Sequence, residues 1–231
     1  MGETAMSARD QMLADIRGAL GRNGPVDAAT RATLEARLRA GKPNLIPQRG
    51  RTEGRARIEA FAGMSEFSLA TVKRVRGLAE VPGAVTEYLK SQNLPPRLRM
   101  APDAKLDAIP WRAAPLLQIA RGKPAPEDEV GLTGVFAGIA ETGTLMLLSG
   151  PQSPSTLNFL PETHIAVVKA SEILASYEDG WAKLRREADA LPRTVNFITG
   201  PSRSGDIEQT LQLGAHGPRR LHIVLVDDGE A

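Results

Sequence analysis

Apolar positions near the N-terminus recur at the spacing of a helix. One such face ends at a Gly/Pro-rich stretch, which predicts a first helix from about 6 to 20. A second helical pattern runs from about 27 to 40 and ends at Gly41, and the stretch 42–50 contains two prolines, which is typical of a linker. We therefore expect an N-terminal helical arm and linker over 1–50, and a main domain over 51–231. The apolar face of the first helix comprises Met12, Leu13, Ile16, Ala19 and Leu20.

From residue 51 onward, short apolar runs alternate with helical patterns. Strands interleaved with helices indicate βαβ units and a mainly parallel sheet with helices on both faces. The predicted fold class is therefore α/β, with a Rossmann-like sheet. Helices are predicted over 55–67, 82–91 and 177–191, and strands over 71–75, 97–100, 116–120, 145–148, 165–168, 195–199 and 221–226.

Composition narrows the classes of function. The formal net charge is only +2, and the arginines of the N-terminal arm alternate with acidic residues, so a solvated helix face is favoured over a nucleic-acid surface. The chain has no cysteine, which excludes disulfides, thiolate zinc sites and Cys-ligated iron–sulfur clusters within it. No apolar run approaches the roughly 20 residues that span a bilayer. We expect a cytoplasmic protein with no membrane segment.

The segment 200–208 follows an apolar run and is rich in Gly and Ser. If a helix over 207–213 follows it, free backbone N–H groups and the positive end of the helix dipole would favour an anion there. Ser204 or Asp206 has the position of a helix N-cap, and Ser202 and Arg203 could contact a carboxylate or phosphate. The alternative is that these residues only cap the helix and that Arg203 is solvated.

A second candidate is the turn over 138–144, which contains Glu141. Burial among small residues would raise the pKa of the Glu141 carboxyl and suit it to act as a general base, and a reactive carboxylate could also be a nucleophile. The alternative is a carboxylate that only accepts backbone hydrogen bonds in a tight turn. The candidate ligand contacts beside it are Thr142, Gly143 and Thr144 and, after the next strand, Ser149 and Gly150, at the strand end where open α/β sheets bind ligands.

The three histidines do not have the spacing of a metal site. His216 lies in a Gly-flanked turn and is the candidate for ligand binding, whereas His222 lies within a predicted strand and His164 opens another. Walker, GxGxxG and GxSxG motifs are missing from the sequence. No metal or cofactor site is predicted.

Five short motifs occur in the order typical of one family. From about residue 50 to 228 the chain resembles the lactate utilization protein C family, which contains the LUD domain. Two positions depart from the family pattern: Ser204-Gly205 stands where a Thr-Ala pair is expected, and 135–138 lack an Ala/Asp-rich approach to the turn. The motifs are Gly131-Leu132-Thr133-Gly134, Ala140 to Leu145, Leu160 to Val168, Gly200 to Glu208, and Leu213 to Arg219.

The resemblance implies a fold of the sugar-phosphate isomerase and CoA-transferase type, and a role in oxidising L-lactate to pyruvate. It also implies two partner proteins, at least one of which carries iron–sulfur clusters. We therefore expect a component without its own redox centre that binds a small anion between the Glu141 and Arg203 turns. The alternative is an independent isomerase or acyl/CoA-transfer enzyme that uses Glu141.

Overall fold

The computed structural model describes residues 6–22, 24–188, 190–205 and 212–229, and the chain divides into two compact units, Met1–Pro43 and Asn44–Ala231. The first unit contains α1 (Ala8–Ala19) and α2 (Ala28–Ala40). Ser7 and Asp27 cap these helices, because their side-chain oxygens accept from the backbone N–H groups of Asp10 and Thr30. No residue of α1 or α2, both described in full, is buried.

The second unit is built on a six-stranded sheet with the order β1-β12-β7-β4-β2-β3, in which every neighbouring pair is parallel. This confirms the predicted Rossmann-like α/β class. The strands are β1 (Thr71–Val75), β2 (Arg97–Met100), β3 (Gln118–Arg121), β4 (Val130–Gly134), β5 (Ala137–Ile139), β6 (Thr144–Leu148), β7 (Thr163–Lys169), β8 (Ile173–Leu174), β9 (Val195–Ile198), β10 (Arg203–Ser204), β11 (Gln212–Leu213) and β12 (Arg220–Val226). The helices are α3 (Gly54–Phe67), α4 (Val81–Ser91), α5 (Ala104–Asp107) and α6 (Tyr177–Glu187).

Both faces of the parallel sheet are covered, because its central strands alternate apolar side chains toward two cores. On one face, Ile165 and Val224 pack with residues of α4 such as Leu89. On the other, Ala166 and Ile223 pack with α3 and with the second sheet. This second core joins the parallel sheet to the second sheet.

The second sheet has the order β8-β5-β6-β9, and β6 is antiparallel to both of its neighbours. The strand predicted over 145–148 is therefore correct, but it lies outside the parallel sheet. Helix α6 begins at a capping box made by Ser176 and Asp179. It ends at Glu187, four residues before the predicted end.

The segment after Arg203 differs from the prediction. Arg203 and Ser204 pair antiparallel with Leu213 and Gln212, so the chain at 212–213 is extended, whereas the sequence predicted a helix that reaches residue 213. Asp206 and most of the predicted helix lie outside the described residues.

Among the described residues, no helix has both the length and the apolar character needed to cross a membrane.

Candidate functional site

A cleft of about 280 Å³ lies where the amino ends of β7 and β12 meet the chain that leaves β9. Ligands of open α/β folds usually bind at the carboxyl ends of the parallel strands. This cleft lies at the opposite edge of the sheet, at the amino ends. Its lining residues are Asn158, Phe159, His164, Phe197, Ile198, Thr199, Gly200, Pro201, Ser202, Arg203, His216, Pro218 and Leu221. The cleft thus brings together three of the residues selected from the sequence, Ser202, Arg203 and His216.

The Arg203 turn, residues 200–205, is held in place by backbone contacts. Gly200 has φ +70°, and a Cβ there would collide with the Ser68 carbonyl oxygen at the end of α3. The Ser202 N–H donates to the Pro218 carbonyl at 2.8 Å, and the Gly214 N–H donates to the Ser202 carbonyl at 2.9 Å. These bonds tie the turn to the segment that carries His216.

Two exposed nitrogen-bearing side chains, Arg203 and His216, therefore border one cleft. The guanidinium of Arg203 offers paired donors that match a carboxylate or phosphate. Ser204 is buried beside them in β10. The side chains of this arrangement can bind an anion.

Two residues of the cleft lining, Asn158 and His164, are polar and buried, and we call this pair the inner end of the cleft. The sequence analysis did not select them together. Asn158 is 1% exposed, and within the described ranges neither atom of its amide has a hydrogen-bond partner. His164 is fully buried; its Nε2 lies 2.7 Å from Thr133 Oγ1, whereas its Nδ1 has no partner among the same residues. Burial lowers the pKa of His164 to about 4, so the imidazole is neutral at pH 7.

One feature of the sequence, the position of His164, could have indicated this part of the cleft. A histidine that opens an otherwise apolar strand, as His164 does, must be either satisfied in the core or used by a ligand. Asn158 had no signal, because it lies in a short 3-10 turn, Ser155–Asn158, that no apolar periodicity marks.

Thr142 and Thr144 lie behind the cleft wall. The Thr144 hydroxyl oxygen lies 2.6 Å from that of Thr199, which lines the cleft. The Tyr177 hydroxyl lies 2.8 Å from Thr142 Oγ1 and 2.9 Å from Thr144 Oγ1. These hydroxyls bond to one another and connect the turn over 138–144, the Glu141 turn, to the cleft.

Glu141 is 8% exposed and does not line the cleft. Its backbone N–H donates to the Ala175 carbonyl at 3.0 Å, and its Oε1 lies 3.7 Å from Arg49 Nη2. Arg49, assigned to the linker from the sequence, is a contact that sequence reasoning missed. Gly143 has φ +65° and packs on Ser65 of α3, whose hydroxyl donates to the Gly143 carbonyl at 3.2 Å.

Ser149 and Gly150 lie at the far end of β6, roughly 16 Å from Thr144 along the strand. The Ser149 hydroxyl accepts from the Thr194 N–H at 2.8 Å, and Gly150 forms an isolated bridge with Ser153. Because β6 lies outside the parallel sheet and is antiparallel to both of its neighbours, the reason for placing a ligand at this strand end does not hold. The structure does not bring these two residues to the cleft.

Within the part of the chain that the structure describes, no group of three or more His, Cys, Asp or Glu side chains could hold a metal ion.

The chain is similar in sequence to several known proteins. Proteins called lactate utilization protein C from Geobacillus sp. (strain WCH70) and Geobacillus thermodenitrificans are 37% and 36% identical over 107 residues, which is 45% of this chain and 44% and 45% of theirs. An uncharacterized protein of Neisseria meningitidis serogroup B is 38% identical over 98 residues, 42% of each chain. The matched stretch spans less than half the length of these curated relatives.

A solved structure shares the fold. The crystal structure of a DUF162 family protein from Deinococcus radiodurans matches with a TM-score of 0.56 and 25% identity, covering 76% of this chain and 99% of that one. The LUD domain family matches residues 70–226, which contain every strand of the parallel sheet and every described residue of the cleft. The chain belongs to the LUD domain family.

Proposed function

We propose that this protein takes part in lactate utilization as a component without a redox centre of its own, and that it binds a small anion in the cleft beside Arg203. The observation that carries the proposal is the similarity to relatives named lactate utilization protein C, which are 34–38% identical over 43–45% of this chain. The family match adds to it, since the matched region contains the whole cleft.

The anion is proposed from the cleft's own side chains. Arg203 and His216 are exposed at its border, and Ser202 adds a hydroxyl within the same lining. A guanidinium binds a carboxylate through two parallel hydrogen bonds, which gives both charge compensation and orientation. Asp206, also selected from the sequence, stays a prediction.

Partner proteins are proposed from the electron balance. Oxidation of L-lactate to pyruvate releases two electrons and two protons, which an acceptor must take up. This chain has no cysteine to ligate an iron–sulfur cluster. We therefore assign the iron–sulfur clusters to partner proteins that work with this one.

The alternative is an isomerase or acyl/CoA-transfer enzyme with Glu141 as base or nucleophile. It has less support, because the Glu141 carboxylate lies beside Arg49 and Gly50 and does not line the cleft. Turnover of an acyl-CoA that Glu141→Gln abolishes would restore this alternative.

Growth on L-lactate tests the proposed function. A strain that lacks this gene, and has no second copy, should fail to grow on L-lactate and should grow normally on pyruvate. The wild-type gene and an Arg112→Met control should restore growth, since Arg112 is exposed and does not line the cleft. Arg203→Met, present at the same level by immunoblot, should not. Normal growth of the deletion strain on L-lactate would refute the role.

Native purification of the tagged protein from lactate-grown cells tests the partners. We expect co-purifying proteins with the visible absorption of iron–sulfur clusters. Their consistent absence at low salt would contradict this part of the proposal.

A further inference from the structure

We propose that the inner end of the cleft, formed by Asn158 and His164, recognises a hydroxyl or carbonyl oxygen that the ligand carries next to its anionic group. The inference deepens the proposed function and rests on it, because it takes the anion at Arg203 as given. The ligand class is then a small 2-hydroxy or 2-oxo anion, whose charged group is a carboxylate or a phosphate.

The first support is the set of unpartnered polar atoms. Both amide atoms of Asn158 and the Nδ1 atom of His164 are buried, and none has a hydrogen-bond partner among the described residues. Buried polar groups in proteins are nearly always bonded, because an unsatisfied one loses its water without replacement. Three such atoms on two residues that line the same cleft indicate that a bound molecule completes them.

The second support is the match between these atoms and one oxygen-bearing group. The Asn158 amide offers a donor and an acceptor. His164 Nδ1 donates if the Thr133 hydroxyl donates to Nε2, and accepts if Nε2 donates to that hydroxyl. A ligand hydroxyl both donates and accepts, so it satisfies either tautomer, and a carbonyl oxygen accepts from Asn158.

The third support is the separation of charge within the cleft. The burial that keeps His164 neutral also disfavours a bare anion beside it. The exposed Arg203 supplies the positive charge at the other end. The ligand should therefore point its charged group toward Arg203 and its neutral oxygen toward Asn158. A cleft of about 280 Å³ has room for a small anion of this class.

The experiment compares ligands that differ by one hydroxyl, using calorimetry or ligand-observed NMR with the full-length protein. L-lactate should bind at least about tenfold more tightly than propionate, which lacks only the hydroxyl. Glycerol 3-phosphate distinguishes the two sources of the anion: tighter binding than L-lactate assigns a phosphate, and weaker binding assigns a carboxylate. Both results support the inference if the preference for the hydroxyl depends on Asn158.

Variants test that dependence. Asn158→Leu should abolish the preference for L-lactate over propionate and should raise the melting temperature of the free protein, because it removes two unpartnered polar groups. Asn158→Ala should abolish the preference in the same way if leucine does not fit. Asn44→Leu, at an exposed position, should change neither property.

The outcomes separate this inference from the proposed function. If Asn158→Leu or Asn158→Ala keeps the preference while Arg203→Met weakens both acids, the inference is overturned and the anion site stands. If wild-type protein binds L-lactate and propionate equally, the inference is likewise overturned, whereas the growth experiment still decides the role in lactate utilization. A fall in melting temperature for both Asn158 variants with no change in binding would show that the amide is structural.

Discussion

Gly143 and Gly200 hold the Glu141 turn and the Arg203 turn against the same end of α3. Both have positive φ, and a Cβ at either position would collide with backbone atoms, at Ser65 for Gly143 and at Ser68 for Gly200. Glycine is required there for two reasons, the left-handed backbone and the close approach. The position of the cleft wall depends on this contact.

Substitution at Gly200 tests this requirement. Gly200→Ala should lower the free energy of unfolding by more than about 3 kcal/mol, because neither backbone can move away cheaply. Gly63→Ala should instead raise it by about 0.5–1 kcal/mol, since Gly63 is exposed within α3 and no atom lies within 4 Å of the new Cβ. Urea titration of both variants measures the difference. Equal, small effects would contradict the packing described here.

His222 is a second residue with a measurable consequence. Its ring stacks on Tyr88 with centroids 3.8 Å apart, and its Nδ1 lies 2.8 Å from Thr71 Oγ1. Burial, and to a smaller extent the charge of Lys73, lower the pKa of His222 to about 4, and the charge of Glu87 opposes this shift. The folded state therefore favours the neutral ring.

This pKa predicts a loss of stability in acid. A histidine in the unfolded chain has a pKa of about 6.5, so between pH 6.5 and 4 the unfolded state binds the proton more readily. The contribution of His222 is complete above pH 6.5 and falls by up to about 3 kcal/mol as the pH drops to 4. His222→Phe keeps the stacked ring and should unfold with a shallower dependence on pH across this range. An unchanged slope in chemical denaturation would contradict the assignment.

Among the elements, α6 and α1 begin with similar caps in different surroundings. Ser176 caps α6 and is 1% exposed, and α6 buries Leu184. Ser7 caps α1, which buries no residue. The same kind of hydrogen bond therefore contributes to a packed core in one case and to an exposed helix in the other.

Removal of each cap should affect the free energy of global unfolding differently. Ser176→Ala should lower the free energy of global unfolding by about 1 kcal/mol, because an N-cap bond of a packed helix is lost. Ser7→Ala should leave global unfolding unchanged, since α1 is not buried in the core. Thermal unfolding followed by tryptophan fluorescence reports the core through Trp111 and Trp181. A similar shift for both variants would contradict this distinction.

The elements also explain what the sequence could predict. The predicted bounds of β1, β2 and β12 agree with the structure to within one residue. Strand β12 is mostly apolar, whereas β1 and β2 combine apolar or β-branched residues with Lys or Arg. Strand β4 was missed because Gly131 and Gly134 interrupt its pattern. In the structure those glycines admit the Leu157 carbonyl oxygen and the Asp103 carboxylate, each 2.8 Å from where a Cβ would stand. Close packing leaves no room for a side chain at either position, and the two glycines interrupt the apolar pattern by which a strand is predicted.

The sequence could not predict which strands pair or which distant segments meet at the cleft, because pairing and backbone hydrogen bonds do not depend on residue type in a recognisable way. Nothing in the run 145–148 distinguishes a parallel from an antiparallel strand, and the pairing is defined by the registers of β6 with β5 and with β9. The link between Ser202 and the segment carrying His216 came from backbone bonds that leave no trace in residue type. Short sequence motifs were enough to select Arg203 as a candidate ligand contact, whereas Asn158 could be identified only from the folded structure.

In the whole molecule, the N-terminal unit and the α/β unit differ in their burial. The helices of the first unit bury no residue, whereas Gly50, near the start of the second, is buried beside Glu141. The domain boundary after residue 50 stays a prediction. We propose that the stable unit begins closer to Asn44.

Two truncations test that boundary. A variant that begins at Asn44 should unfold at the urea concentration of the full chain, because no buried side chain of α1 or α2 is lost. A variant that begins at Arg51 should unfold earlier, since it also loses Arg49 and Gly50 beside Glu141. Equal midpoints for these two variants would favour the boundary after residue 50.

The order of strands in the parallel sheet also determines when the sheet can form during synthesis of the protein. β12 lies between β1 and β7, and Thr71 meets His222, 151 residues later in the chain. At roughly 5–20 residues per second on the ribosome, about ten seconds or more pass between the synthesis of β1 and that of β12, with which it pairs. Until then the apolar edge of β7 is also unpaired, which makes the nascent chain a client for chaperones. A product that stops before residue 220 cannot close the sheet, so a late nonsense mutation should remove the folded protein entirely.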